Sequence, residues 1–254
     1  LGVEREPKPE MVAANVDGTQ NVVDAVRRAR ATRLVHCSTA AVVALSNDGS
    51  PSGEDAAYNF DVRGMVDGYG KTKRAAERLV LDAARAGLDA VVANPTWMFG
   101  PYDVRPGSGQ LIVDVVRGKM PGLAPGRNNF VDVRDVARGM ILAAEKGRAG
   151  ERYILGGENL TYGEIAQRIA RVAGVAEPRW KVPRALAVPM GWVGDAVEAL
   201  GGSPHITSMT IAWAYCPDFI FSSEKARREL GYATGPLDVA IRDALAWFRA
   251  NGKV

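Results

Sequence analysis

A phenol and an ammonium four residues apart set the first question about this chain. In Tyr69-Gly70-Lys71-Thr72-Lys73, at the start of a helical pattern, Tyr69 and Lys73 fall on one helix face. The cation can therefore lie close to the phenol. A free tyrosine titrates near 10, so proton exchange near neutrality asks for about 4 kcal/mol of added preference for the phenolate. A positive neighbour shifts it in that direction. A third group, Cys37-Ser38-Thr39, follows the apolar run Leu34–Cys37. Hydroxyls at the carboxyl end of a strand in a doubly wound sheet lie at the crevice where ligands bind. Gly70-Lys71-Thr72 also ends like a phosphate-binding loop. That motif has one residue fewer between its glycines than the five separating Gly64 from Gly70, and no apolar strand precedes Gly64. Phosphoryl transfer is the weaker reading.

The elements that must position these groups can be read from periodicity. Val12, Val16, Val22, Val23 and Val26 recur at helical spacing and predict a helix over about residues 10–30. Leu34–Cys37, Ala90–Ala93 and Arg152–Leu155 read as buried strands, and Phe219–Phe221 as a short further one. Helical patterns cover about 70–86, closed by Gly87, then 111–117 and 133–145. Thr161 with Glu164 forms a capping-box pattern opening a helix to about Ala173. Further helices are expected near 185–200, 223–230 and 237–251. Strands alternating with helices imply βαβ units, and hence an α/β doubly wound parallel sheet covered on both faces.

Composition narrows the class. The 254 residues are 47% hydrophobic and 24% charged with net charge +3, which describes a globular chain with a sizeable core. The basic run Arg27 to Arg33 sits where a helix ends and suits its negative pole, so no nucleic-acid partner is expected. No apolar window is long enough to span a membrane, and Leu1 to Glu10 does not read as a signal peptide. Two cysteines and two histidines give neither a disulfide framework nor a histidine-rich metal site, which favours a cytoplasmic, metal-free protein. Trp180, Trp192, Trp213, Trp247 and Phe248 are expected in the core, and His205 in a loop.

Five motifs occur in an order that resembles the extended short-chain dehydrogenases. They are Asn15 to Asn21, Cys37 to Ala40, Tyr69 to Lys73, Asn94-Pro95-Thr96 with Gly100-Pro101, and Phe130 to Ala137. The pattern is similar to the branch of dihydroflavonol-4-reductase-like enzymes and hopanoid-associated sugar epimerases, and Gly150 to Asn159 is especially similar to the second group. This resemblance implies a Rossmann-like fold, NAD or NADP as cofactor, and hydride transfer at a carbonyl or secondary alcohol of a small-molecule substrate. A homodimer is one expected assembly. It also implies roles. Thr39 orients the substrate oxygen, Tyr69 exchanges its proton, Lys73 also holds the nicotinamide ribose, Pro95 and Thr96 line the nicotinamide pocket, and Asn15 supports the proton relay. Ser38, beside Thr39, can share its role or meet the cofactor. Asp132 and Asp135 are structural in this pattern. Asn94-Pro95-Thr96-Trp97 stands where sugar-nucleotide epimerases carry an aromatic-asparagine pair, which counts against a nucleotide-sugar substrate.

Residues 1–155 are assigned to the remainder of a dinucleotide-binding domain, with 97–128 contributing to a smaller, mostly helical substrate region. Residues 156–254 form most of that region, with helices returning to the core. No glycine-rich pyrophosphate turn is evident: Gly107-Ser108-Gly109, Gly147 to Gly150 and Gly191 to Gly194 read as ordinary turn or helix-end glycines. The expectation is that this turn and three to four strands, the amino-terminal part of the fold, precede Leu1, and that Leu34–Cys37 otherwise presents an open edge. The rival reading is a catalytically inactive, dehydrogenase-like binding or scaffold protein.

Overall fold

The computed structural model describes residues 6–120, 122–202, 204 and 206–254; His205 lies outside them. The chain begins with helix α1 (Pro9–Val12), runs through a π-helical turn (Ala13–Asp17) and continues as α2 (Gly18–Ala29). Strand β1 (Leu34–Cys37) follows, then α3 (Gly68–Arg85), β2 (Ala90–Pro95), β3 (Trp97–Phe99) and α4 (Gln110–Val116). Next come β4 (Arg127–Asp132), α5 (Val133–Lys146), β5 (Arg152–Leu155), β6 (Glu158–Thr161) and α6 (Tyr162–Ala173). The last part is helical: α7 (Arg184–Ala199), α8 (Ser208–Ala214), α9 (Glu224–Leu230) and α10 (Leu237–Ala250).

β1, β2 and β5 form a parallel sheet in the order β1-β2-β5, with Leu34 opposite Ala90 and Val92 opposite Arg152. The two-residue period of β2 explains the layers. Ala90 and Val92 pack with Val23 of α2 and Val80 of α3, while Val91 and Ala93 pack with Val136 of α5 and Leu230 of α9. Helices therefore cover both faces, as expected for a doubly wound sheet. β2 is buried throughout, whereas β1 pairs only with β2 among the described residues, leaving an edge.

A second sheet, in the order β3-β4-β6, grows out of the first. β2 leads into β3 through Thr96 alone, and β5 leads into β6 through Gly156 and Gly157. At Gly157 a Cβ would sit 2.4 Å from the Phe130 carbonyl, so the chain needs glycine to cross there. This sheet shares one core with α4, α6 and α10, where Ile112, Ile165, Ile169, Ile241 and Phe248 are fully buried. Each such side chain contributes about 1.5–3 kcal/mol of transfer free energy. Helix α6 starts at the expected capping box, Thr161 accepting from Glu164 N while Glu164 accepts from Thr161 N. It stops at Gly174, whose φ of 71° is the left-handed conformation glycine adopts freely.

Several expectations need correction. β3, β4, β6 and α8 were not read from the sequence. β4 carries the buried Asn128 and Asn129 and β6 the exposed Asn159, all of which look like loop residues, and partners elsewhere in the chain satisfy them. Asn129 accepts from Thr96 Oγ1 at 2.8 Å and from Gly157 N at 2.7 Å. Phe219–Phe221 is not a strand beyond an isolated bridge between Ser52 and Phe221. The Asn159 side chain replaces a strand partner there, exchanging two 3.0 Å hydrogen bonds with the Phe221 backbone. Trp180 and Trp192 are exposed rather than core, Trp213 and Trp247 are half-buried, and Phe248 is buried. Asp132 and Asp135 are structural as expected: Asp132 caps α5 through Arg134 N, and Asp135 accepts from Gly235 N at 2.9 Å.

Candidate active site

The site forms at the carboxyl end of β1, where α3 begins. Asp67 is the N-cap of α3, its carboxylate accepting from Gly70 N at 2.6 Å, and this bond fixes the turn that carries Tyr69. Close packing supports it, since a Cβ on Gly68 would lie 2.7 Å from Pro7 Cα. One turn on, Lys73 Nζ donates to the Cys37 carbonyl at 2.8 Å. Thr39 caps the short 3-10 turn Ala40–Val42, and its hydroxyl lies close enough to the Tyr69 phenol to pull its pKa down. Thr39, Tyr69 and Lys73 are thus brought together from segments thirty or more residues apart.

A buried chain of polar groups holds the far side of Thr39. Asn94 Nδ2 donates to the Thr39 carbonyl at 3.0 Å and to Glu77 Oε2 at 2.7 Å, and Arg152 pairs with Glu77 at 3.2 Å. The sequence reading missed Asp67, Glu77 and Arg152 and gave Asn94 no such role. An aspartate two residues before Tyr69, at a helix start, was a legible cap signal. The Glu77–Arg152 pair carried no local signal at all.

Electrostatics depart from the expectation for Tyr69. Burial pushes its phenol above the ordinary range, the nearby Thr39 hydroxyl opposes this, and Cys37 and Asp67 add smaller upward pushes. The expected downward pull of Lys73 is not among these causes; its ammonium donates to the Cys37 carbonyl instead of the phenol. Burial in turn holds Lys73 below its usual value. The same ammonium acts on His36, which burial first and Lys73 second lower to about 4.

The remaining expected residues fall around this centre at different distances. Asn15 lies on the π-helical turn, and its Nδ2 donates to Thr72 Oγ1 at 3.0 Å, next to Lys73 in sequence. It joins the first helix to α3 and makes no hydrogen bond to Tyr69 or Lys73 in this structure. π-helical turns inside α-helices recur at functional sites. Pro95 is buried at the end of β2, beside β1, and the Thr96 hydroxyl donates to Asn129. Ser38 Oγ and Asn94 Oδ1 are buried without hydrogen-bond partners among the described residues. An unsatisfied buried polar atom costs about 1–3 kcal/mol. Their place at the ends of β1 and β2 fits a polar ring edge such as a nicotinamide carboxamide.

The geometry gives no support to a phosphate loop at either glycine run. The amides of Gly107 and Gly109 already bind the Asp103 carboxylate, at 3.2 and 3.1 Å. The start of α3 is likewise filled by Asp67, and Lys71 pairs with Glu6 at 2.6 Å.

The model of the NAD dependent epimerase/dehydratase family matches residues 2–156. A putative dihydroflavonol 4-reductase of Synechocystis sp. is 32% identical over 98% of this chain and 74% of its own length. Sterol demethylase protein B of Methylococcus capsulatus is 32% identical, over 97% and 75%. The crystal structure of gox2253 superposes with a TM-score of 0.84 at 37% identity, covering 98% of this chain and 76% of its own. Nothing in these matches favours an inactive scaffold. The chain belongs to the NAD dependent epimerase/dehydratase family, as an NAD(P)-dependent oxidoreductase or epimerase of the extended short-chain dehydrogenase type.

Proposed function

We propose that the protein reduces a ketone, or oxidises the matching secondary alcohol, on an apolar ring-bearing substrate, with Tyr69 as the proton-exchanging group. The observation that carries this reading is the convergence of Thr39 and Tyr69 beside Lys73 at the end of β1. Thr39 holds the substrate oxygen, and Tyr69 gives or takes its proton. Lys73, fixed on the Cys37 carbonyl, favours the phenolate when the proton leaves and holds the cofactor ribose. The bound nicotinamide supplies or accepts the hydride at its C4. Ser38, Pro95 and Thr96 form the pocket for the nicotinamide. Asn15 acts through Thr72 as a positioning residue.

Residues 1–155 serve the cofactor side, and 97–128 with 156–254 serve the substrate side, by this reading. The apolar substrate class rests on the relatives named for a dihydroflavonol and a sterol. No described helix is long and apolar enough to cross a membrane. Free thiols at Cys37 and Cys216 agree with a cytoplasmic location.

The test is NADH or NADPH oxidation with a dihydroflavonol and a 3-oxosteroid as substrates, for the protein and for Tyr69→Phe. The variant keeps the ring's packing and loses the proton donor, so turnover should fall at least about a hundredfold. Unchanged turnover in Tyr69→Phe overturns the assignment.

A further inference from the structure

Helix α7 carries its small residues inward and its large apolar residues outward. Ala187, Gly191 and Gly194 are buried against α8 and the segment before it. A Cβ on Gly194 would lie 1.7 Å from the Ile206 carbonyl oxygen, and one on Gly191 would lie 3.0 Å from Ser208 Cα. That contact is backbone against backbone, so the apolar bulk of α7 is not there to fill the core. It faces out instead. Leu186, Met190, Val193, Val197 and Leu200, at alternating spacings of four and three, form one exposed stripe, with Val193 65% and Leu200 89% exposed. Trp192, 64% exposed, flanks it. A contiguous apolar face of this kind marks an interaction surface.

Charge identifies the occupant. Between residues 185 and 200 there is no lysine or arginine. Immediately before this stretch stand Arg179, Lys181 and Arg184, all exposed and in no ion pair among the described residues, with Trp180 between the first two. The helix's own carboxylates are poor partners for those cations in a second copy of the chain. Asp195 accepts from Ser208 N at 2.9 Å, and Glu198 is half-buried. An apolar stripe bordered by unpaired cations and tryptophans matches the layering of a bilayer surface, with acyl chains below anionic headgroups. We propose that the outer face of α7 seats the protein on an anionic lipid bilayer, lying in the interface with Arg179, Lys181 and Arg184 against the headgroup phosphates. The helix has 16 residues and does not span. No residue of the candidate active site takes part, so this surface stands or falls independently of the catalytic reading.

Flotation of the purified protein with vesicles tests it, using phosphatidylcholine alone or mixed with phosphatidylglycerol. The protein should float with the mixed vesicles, and raised salt should weaken the binding. The pair Val193→Glu and Val197→Glu changes exposed positions only and should lower the bound fraction by about tenfold. Arg179→Gln with Lys181→Gln and Arg184→Gln should lose the preference for phosphatidylglycerol. Unchanged circular dichroism in each variant confirms folding. Failure of the unaltered protein to float, or equal flotation of the glutamate variant, overturns the proposal. So does a dimer in light scattering that the glutamates dissociate without any vesicle binding, which assigns the face to a second copy. A raised KM with vesicle binding unaffected would assign it to the substrate cleft and overturns the proposal equally.

Discussion

Replacing Lys73 with methionine keeps most of the length of the side chain and removes the charge that links the candidate active site to His36. The imidazole falls from 6.5 to about 4, with burial the larger cause and Lys73 the smaller. Removing the ammonium therefore returns less than half of that fall, and His36 in Lys73→Met should titrate above 4 but no higher than about 5. The chain contains two histidines, His36 and His205. Two-dimensional imidazole spectra recorded across pH follow them separately, with His36→Gln assigning the signals. Stability should change in step. The unfolded chain binds the His36 proton more tightly than the folded one, so this contribution is complete above pH 6.5 and is lost as pH falls toward 4. Its ceiling is about 3 kcal/mol, reduced by solvent because His36 is partly exposed. Urea unfolding should show a shallower loss over that window in Lys73→Met. The reasoning fails if His36 titrates at the same pH in both proteins, since the ammonium on the Cys37 carbonyl would then exert no field on the strand behind the site.

Asp67→Ala removes the cap of α3 and should cost about 0.5–2 kcal/mol in urea unfolding, with a fall in turnover larger than that in substrate affinity, because it frees the turn that carries Tyr69. A drop in stability with kinetics unaltered would make Asp67 a cap and nothing more. Gly194→Ala forces α7 away from the Ile206 carbonyl and should destabilise the protein by about 1–3 kcal/mol, read as a lowered Tm. An unaltered Tm would show that the contact between α7 and the segment before α8 is looser than its geometry.

The candidate site residues stood out in the sequence because local spacing carries them. Tyr69 and Lys73 share a helix face by the helical period alone, and Thr39 ends a strand whose apolar run is self-evident. Thr161 with Glu164 announced its own helix, as capping boxes do. What the sequence alone could not reveal was every feature whose partner is distant. The asparagine-bearing strands β4 and β6 look like loops until Thr96, Gly157 and Phe221 arrive to satisfy their side chains. Tyr69 is raised rather than lowered because burial, which only the folded chain decides, is the largest influence on its phenol. The tryptophans of α7 and its approach read as core, since apolar residue types are the same whichever way a helix turns. Only the packing of Gly191 and Gly194 against the chain around α8 fixed that rotation and left Trp192 outside. Periodicity states that a helix has two faces, and tertiary contact decides which one is buried.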